Sequence, residues 1–371
     1  MTTDDGRHPV VAPFALPSSL SQDPSPPDGA RYRAPWWLPG GHAQTIYAAL
    51  LAPRPRVSYR RERWETPDGD FIDLDWLDEP SRITDHGSRI TRRPLVALFH
   101  GLEGSSRSHY AAAMMAAARD IGWRGVVVHF RGCGGEANRL PRAYHSGDTQ
   151  EIEWILRRLR ERNAGGALFA VGVSLGGNAL LKWLGENGAA ARDVASRAAS
   201  VSAPLDLMLA GEALGKGFNL LYTHHFLGTL KPKSLAKLER FPGLYDAARL
   251  RAAWTLRAFD DVVTAPLHGF RDTDDYWTRA SSKPWLMRIT VPTLVINAKN
   301  DPFMPCAALP AAHETSPSVL LEQPEGGGHV GFVSGAFPGN LDWLPHRVLN
   351  FFGARAYDAH ASERRVCRIH Q

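Results

Sequence analysis

Apolar residues fall along this chain in short uninterrupted runs, each closed by a glycine-rich or polar turn and followed by a stretch with helical spacing. Residues 94 to 99 form one such run, the pattern of a strand buried on both faces, and it ends in His100-Gly101-Leu102-Glu103-Gly104. From Ser108 to Ile121, alanines together with Met114 and Met115 predict a helix whose apolar positions pack in the core. Residues 125 to 130 are the next buried strand, closed by Arg131-Gly132-Cys133-Gly134-Gly135. Asp148, with Glu151 three residues on, predicts a helix N-terminus, and Ile152, Ile155, Leu156 and Leu159 lie on one face of the helix that follows. The run from Ala167 stops at Ser174 and resumes with helical character to about Asn187, where Gly188 is positioned to cap it.

Further strands are expected at 198 to 203, 292 to 297 and 319 to 323. Residues 57 to 64 and 71 to 77 flank Pro67-Asp68-Gly69, a hairpin signal. About eight strands result. Their alternation with helices predicts an α/β fold, a mostly parallel sheet covered on both faces.

The core is expected over 31 to 204 and 286 to 353. Residues 1 to 30, rich in Pro, Ser and Asp, read as a poorly ordered arm, and 354 to 371 as a tail. Between the strands near 203 and 292, residues 205 to 285 have helical character with breaks at Gly217, Pro232, Pro242 and Pro266. A connection of that length in a compact domain is usually a functional lid. Its Phe218, Leu220, Leu221, Tyr222, Phe226 and Leu227 are available to line an apolar pocket, although packing on the core accounts for most of them. Trp36 and Trp37 before Pro39-Gly40-Gly41 predict an apolar anchor leading into a tight turn.

Composition narrows the class. The chain has 371 residues, 44% of them hydrophobic, and a net charge of only +5. The excess is scattered: Arg60-Arg61, Arg92-Arg93 and Arg364-Arg365 read as solvated surface, so no nucleic-acid partner is implied. Cys133, Cys306 and Cys367 are far apart and odd in number, offering neither a disulfide framework nor metal-ligand spacing. A reducing compartment, the cytoplasm, is the expectation. No apolar run reaches the length of a membrane span and no signal pattern opens the chain; contact with a membrane surface stays open.

Chemistry concentrates at strand ends. Gly172-Val-Ser174-Leu-Gly176 is a G-x-S-x-G between a predicted strand and a predicted helix, the context of a nucleophile elbow. A serine hydroxyl needs a base, and the base needs a group that fixes its tautomer. His329, in Gly326-Gly-Gly-His-Val-Gly-Phe332 after the last predicted strand, is the candidate base. Asp301, in the turn Asn297-Ala-Lys-Asn-Asp-Pro-Phe303, is the candidate acid, with Asp206 as runner-up unless it caps a helix. In chain order these are Ser174, Asp301, His329, the serine–acid–histidine order that goes with a nucleophile elbow. The amides of Leu102 and Leu175 are the candidate oxyanion donors.

These segments, together with Pro39-Gly-Gly-His-Ala-Gln-Thr-Ile46, Phe130-Arg-Gly-Cys133, Tyr144-His-Ser-Gly-Asp-Thr149 and Thr264-Ala-Pro-Leu-His-Gly-Phe270, resemble the α/β-hydrolase superfamily and, within it, the YheT-type hydrolases, across residues 30 to 353. The resemblance implies a nucleophile at Ser174, an acid at Asp301, a base at His329, carboxylic-ester or lipid-ester substrates, and neither metal nor organic cofactor. It also admits acyl transfer to an alcohol. A catalytically idle binding protein on the same fold is the rival from another class. The Gly40-Gly41-His42 and His145-Ser146-Gly147-Asp148 segments have no chemical role readable from sequence; stabilising the loops at the strand ends is the expectation for them.

Overall fold

The computed structural model describes residues 31–78 and 93–353. The predicted arm and tail, Cys367, Arg92 and the Arg364-Arg365 pair lie outside the described residues. Eight strands form one sheet: β1 Tyr59–Glu65, β2 Phe71–Leu77, β3 Leu95–Phe99, β4 Arg124–His129, β5 Leu168–Val173, β6 Arg197–Val201, β7 Thr293–Ile296 and β8 Val319–Glu322. Their order is β1-β2-β4-β3-β5-β6-β7-β8. β1 and β2 are the predicted hairpin, β2 meets β4 antiparallel, and every later pairing is parallel.

Parallel strands need crossovers, and these cover both faces. Side chains of β3, β4 and β5 alternate between them. Leu95, Ala97, Phe99, Val126, Val128, Leu168 and Ala170 join one core, built with α3 (Thr149–Arg162) and α4 (Leu175–Asn187). Val96, Leu98, Val127, Phe169 and Val171 join the other, built with α2 (His109–Asp120) and the last helix, Trp343–Phe351. Asp148 caps α3 as its spacing predicts, its side chain accepting from the Glu151 amide, and Gly188 ends α4 at φ 50°.

Three readings change. Pro39-Gly40-Gly41 is not simply a turn: Gly41 opens α1 (Gly41–Leu50). Apolar periodicity is weak there, and the helix is held by tertiary contact; a Cβ on Gly41 would stand 1.9 Å from the Asn300 carbonyl oxygen. The tryptophan anchor is Trp37 alone, whose Nε1 donates to the Gly335 carbonyl at 3.1 Å, while Trp36 is 91% exposed. Pro232 does not break its segment, since it sits inside α6, a helix of 21 residues. The ring removes one donor and presses on the carbonyl four residues back, which belongs to Gly228.

Residues 205 to 285 are helical, with α5 (Leu207–Leu214), α6 (Leu220–Arg240), α7 (Ala247–Ala252), short turns over 256 to 267 and a helix Thr273–Ala280. They form apolar clusters of their own, Leu227, Leu250, Phe259, Val262 and Val263 in one and Leu207, Ala265, Tyr276, Trp277 and Ala280 in another.

Candidate active site

β5 runs into α4 with no intervening loop, so Ser174 carries the whole change of direction at φ 52°, ψ −121°. That is a sparsely populated conformation for a residue with a side chain, and it persists only where its surroundings enforce it. Here they do. The Ser174 amide donates to the Val201 carbonyl of β6 at 2.8 Å. A Cβ on Gly172 would lie 2.5 Å from the Gly176 oxygen, and one on Gly176 would lie 2.5 Å from the Phe99 oxygen. Both glycines of the motif are therefore steric requirements of the turn.

The loops after β7 and β8 bring Asp301 and His329 to the same place. His329 Nε2 lies 3.0 Å from Ser174 Oγ, and Nδ1 lies 2.9 Å from Asp301 Oδ2. A carboxylate only accepts, so Nδ1 carries the proton and Nε2 is left as an acceptor for the serine O–H. Asp301 Oδ1 accepts from the Phe303 amide at 2.8 Å, and its side chain is fully buried. The Phe303 ring stacks on the imidazole at 4.1 Å between centroids, tilted 28°. Asp206, the other acidic candidate, instead caps α5 by accepting from the Leu209 amide.

Sequence reasoning missed what holds His329. Gln44 Oε1 accepts from the Gly327 amide and from Asn300 Nδ2, and Asn300 Oδ1 accepts from the Gly328 amide. Thr45 Oγ1 accepts from the His329 amide at 2.8 Å while donating to the Gly41 carbonyl. Ser202 Oγ takes the Val330 amide, and His109 Nε2 donates to the Val330 carbonyl. Four consecutive amides are thus bound by side-chain oxygens from three separate segments. The Gly40-Gly41-His42-Ala-Gln-Thr45 motif gave the available signal, a polar pair inside a glycine-led segment.

The second unexplained segment is held by the elbow helix. Asn178 Nδ2 donates to the Ser146 and Ala280 carbonyls, both at 2.8 Å, and its Oδ1 accepts from the Ser282 amide. This ties residues 145 to 148 and the helix Thr273–Ala280 to α4.

Beside Ser174, the turn after β3 is equally constrained. His100 is fully buried between the Phe130 amide, which donates to its Nε2, and the Gly101 carbonyl, which accepts from its Nδ1. Burial pushes its pKa down to about 3, so the ring stays neutral. Gly101 leaves room for the serine, since a Cβ there would lie 3.0 Å from Ser174 Cβ. Among the described residues, neither the Leu102 nor the Leu175 amide has a hydrogen-bond partner within the protein. Next in line, Glu103 (φ 55°) donates its amide to Tyr144 Oη and pairs with Lys233 of α6 at 2.7 Å.

A cavity of about 460 Å³ opens over these groups. Ser174, Leu175, Leu102 and His329 line one side, and Leu207, Leu214, Phe226, Leu230, Phe259 and Trp277 the other. Of the six residues singled out on the connecting segment, only Phe226 lines it. Leu227 is buried in that segment's own cluster, Tyr222 contacts His42, and Phe218 and Leu221 are more than half exposed. Cys133 also faces the cavity, where burial raises its thiol to about 12 and keeps it protonated. Among the described residues no cluster of His, Cys, Asp or Glu is arranged to hold a metal ion, and no helix is long and apolar enough to cross a membrane.

An eight-stranded, mostly parallel sheet with a serine elbow at the end of its central strand defines a class, and residues 94–336 match that class as a family, alpha/beta hydrolase fold. The chain belongs to this family. It is 40% identical to YheT of Escherichia coli (strain K12) over 83% of this chain and 88% of that one. It is 31% identical to the mouse (Mus musculus) phospholipase ABHD3 over 92% of this chain and 83% of that one. It is also 29% identical to the monoacylglycerol lipase of Saccharomyces cerevisiae (strain ATCC 204508 / S288c), over 65% of this chain and 55% of that one. Among solved structures, an esterase of Pyrococcus furiosus shares the fold at a TM-score of 0.50 and 15% identity, covering 81% of this chain and 98% of that one.

Proposed function

We propose that the chain is a carboxylic-ester hydrolase that works through an acyl-enzyme on Ser174, and that its substrates are short- to medium-chain acyl esters or lipid esters. One observation carries this reading: a single imidazole spans the elbow serine and a buried carboxylate, at 3.0 and 2.9 Å. Ser174 Oγ bonds to the ester carbonyl carbon while its proton passes to His329 Nε2. The C–O bond to the alcohol then breaks and that proton leaves with the alcohol. Water attacks the acyl carbon, gives its proton to Nε2, and the acid is released as the proton returns to Oγ. Asp301 holds the tautomer and stabilises the imidazolium. The Leu102 and Leu175 amides donate to the developing oxyanion; a lost donor of this type costs about 2.7–4 kcal/mol of transition-state stabilisation.

The 205 to 285 segment acts as the lid, and its apolar side of the cavity receives the acyl chain. Relatives named for phospholipase and monoacylglycerol lipase activity support an ester substrate of lipid type. A small-molecule ester is the partner, with no cofactor, and the cytoplasm is the proposed location. A fluorophosphonate is expected to label Ser174, and Ser174→Ala to abolish labelling and cut p-nitrophenyl ester turnover by about 10⁴-fold or more. Parent-level turnover by the alanine variant overturns the assignment. Added ethanol, scored by the ratio of ester to acid formed, separates hydrolysis from acyl transfer.

A further inference from the structure

We propose that the apolar face built around α1 is a docking surface for a lipid surface that carries negative charge. Four large apolar side chains stand far out of the protein here: Trp36 is 91% exposed, Phe337 73%, Leu50 71% and Leu51 67%. Trp37, next to Trp36 in the chain, and Tyr47 of α1 connect them. Trp37 packs edge-on against Phe337 at 5.4 Å and against Tyr47 at 5.1 Å, and Tyr47 Oη donates to the Pro338 carbonyl. Leu50 and Leu51 follow Tyr47 by three and four residues and so continue its side of the helix. Apolar residues scattered singly over a surface need no explanation, but a contiguous group does. Beneath this one lies a packed floor of Leu38, Ala48, Ala52, Val333 and Leu341.

The charge beside the patch selects the occupant. Arg54 donates to the Ala49 and Arg107 carbonyls, which brings the exposed Arg54 and Arg107 to the C-terminal end of α1. Tryptophan and aliphatic side chains edged by arginines match an interface of apolar chains under anionic headgroups. A symmetric contact between two copies through this face would bring the two arginine groups together, which disfavours a second copy as the occupant. Gln44 and Thr45 on the buried side of α1 hold the His329 loop, while Leu50 stands exposed on another side. The use of such docking rests on the lipid-ester reading of the site; the docking itself is measured without it.

The test is co-sedimentation of the full chain with vesicles of phosphatidylcholine, alone or mixed with phosphatidylglycerol. The parent is expected to bind the mixed vesicles, Trp36→Ser/Leu51→Ser/Phe337→Ser to bind them about tenfold less, and Arg54→Glu/Arg107→Glu to lose the preference for phosphatidylglycerol. Both variants should keep the parent's thermal midpoint within a few degrees and its rate on water-soluble p-nitrophenyl butyrate. Failure of the parent to sediment with either vesicle overturns the proposal. So does equal binding by the triple variant, or light scattering that shows a parent dimer dissociated by the triple substitution. Vesicle binding by a chain that cleaves no ester upholds the docking surface and rejects the hydrolase reading instead.

Discussion

On the sheet side of the cavity, Gly327, Gly328, His329 and Val330 each hand their amide to a side-chain oxygen of Gln44, Asn300, Thr45 or Ser202. Across from it, the 205 to 285 segment presents mainly apolar side chains to the cavity and packs in two small clusters of its own. Hydrogen bonds are directional and define positions to fractions of an ångström, whereas apolar contacts define a volume and tolerate rearrangement that conserves it. The difference fits the two tasks proposed for the site. Proton transfer between Ser174 and His329 needs one geometry, while an acyl chain needs space of the right shape.

The contrast is sharpest at Gln44. Gln44→Leu deprives the Gly327 amide and Asn300 Nδ2 of their shared acceptor, at about 1–3 kcal/mol for each buried group left unsatisfied. Because a displacement of about 1 Å at a reacting group can cost 10²-fold, kcat is expected to fall by about that factor with KM little changed. A steady-state comparison on p-nitrophenyl butyrate decides it, and an unchanged kcat would show that the loop is held without this residue.

A smaller and opposite pattern is expected across the cavity. Leu230→Trp takes up space in the cavity at a position outside the proposed triad. Rates on acetate should stay near the parent's, and rates on laurate should drop about tenfold, within the range a misfitted apolar pocket commands. An ester panel from acetate to laurate reads this, and equal losses on all esters would mean that Leu230 supports the reacting groups rather than the chain.

A last test concerns the rigid side alone. His100 is neutral in the folded protein, its pKa pushed down to about 3 by burial, while in the unfolded chain it takes a proton near its ordinary value of 6.5. As pH falls from about 6.5 towards 3, the unfolded state therefore gains a proton the folded state does not, and stability is lost through that window. Its contribution is about 1.4 kcal/mol per pH unit at most. His109 and His145, each pushed down to about 4, act in the same direction, and Asp260, raised to about 6, acts in the opposite one. Denaturation of His100→Asn across pH 4 to 6.5 should give a shallower slope than the parent, and an identical slope would show that His100 titrates alike in both states.

The strands, the elbow, and the residues that meet at its end were legible because each is written locally. Buried parallel strands are unbroken apolar runs, and an elbow needs glycines at fixed distances from its serine; Gly172 and Gly176 stand where a Cβ would strike backbone oxygen. Asp301 and His329 were found by their positions after strand ends, since strand order brings those ends together. What stayed hidden was written non-locally. Gln44 lies more than 280 residues from Gly327 in the chain, and no periodicity in residues 41 to 50 announces that α1 exists to hold a loop.

The sequence by itself determined the class of fold, the point where the chain turns on Ser174, and the order of the three side chains that meet there, because periodicity and glycine spacing act within a few residues. Only the tertiary structure decided that α1 supports His329 with one face and exposes Leu50 with another, that Pro232 stays within a helix, and which side chains of the 205 to 285 segment face the cavity. Those outcomes depend on which distant surfaces meet, and a contact between residues hundreds of positions apart leaves no period for a local pattern to reveal.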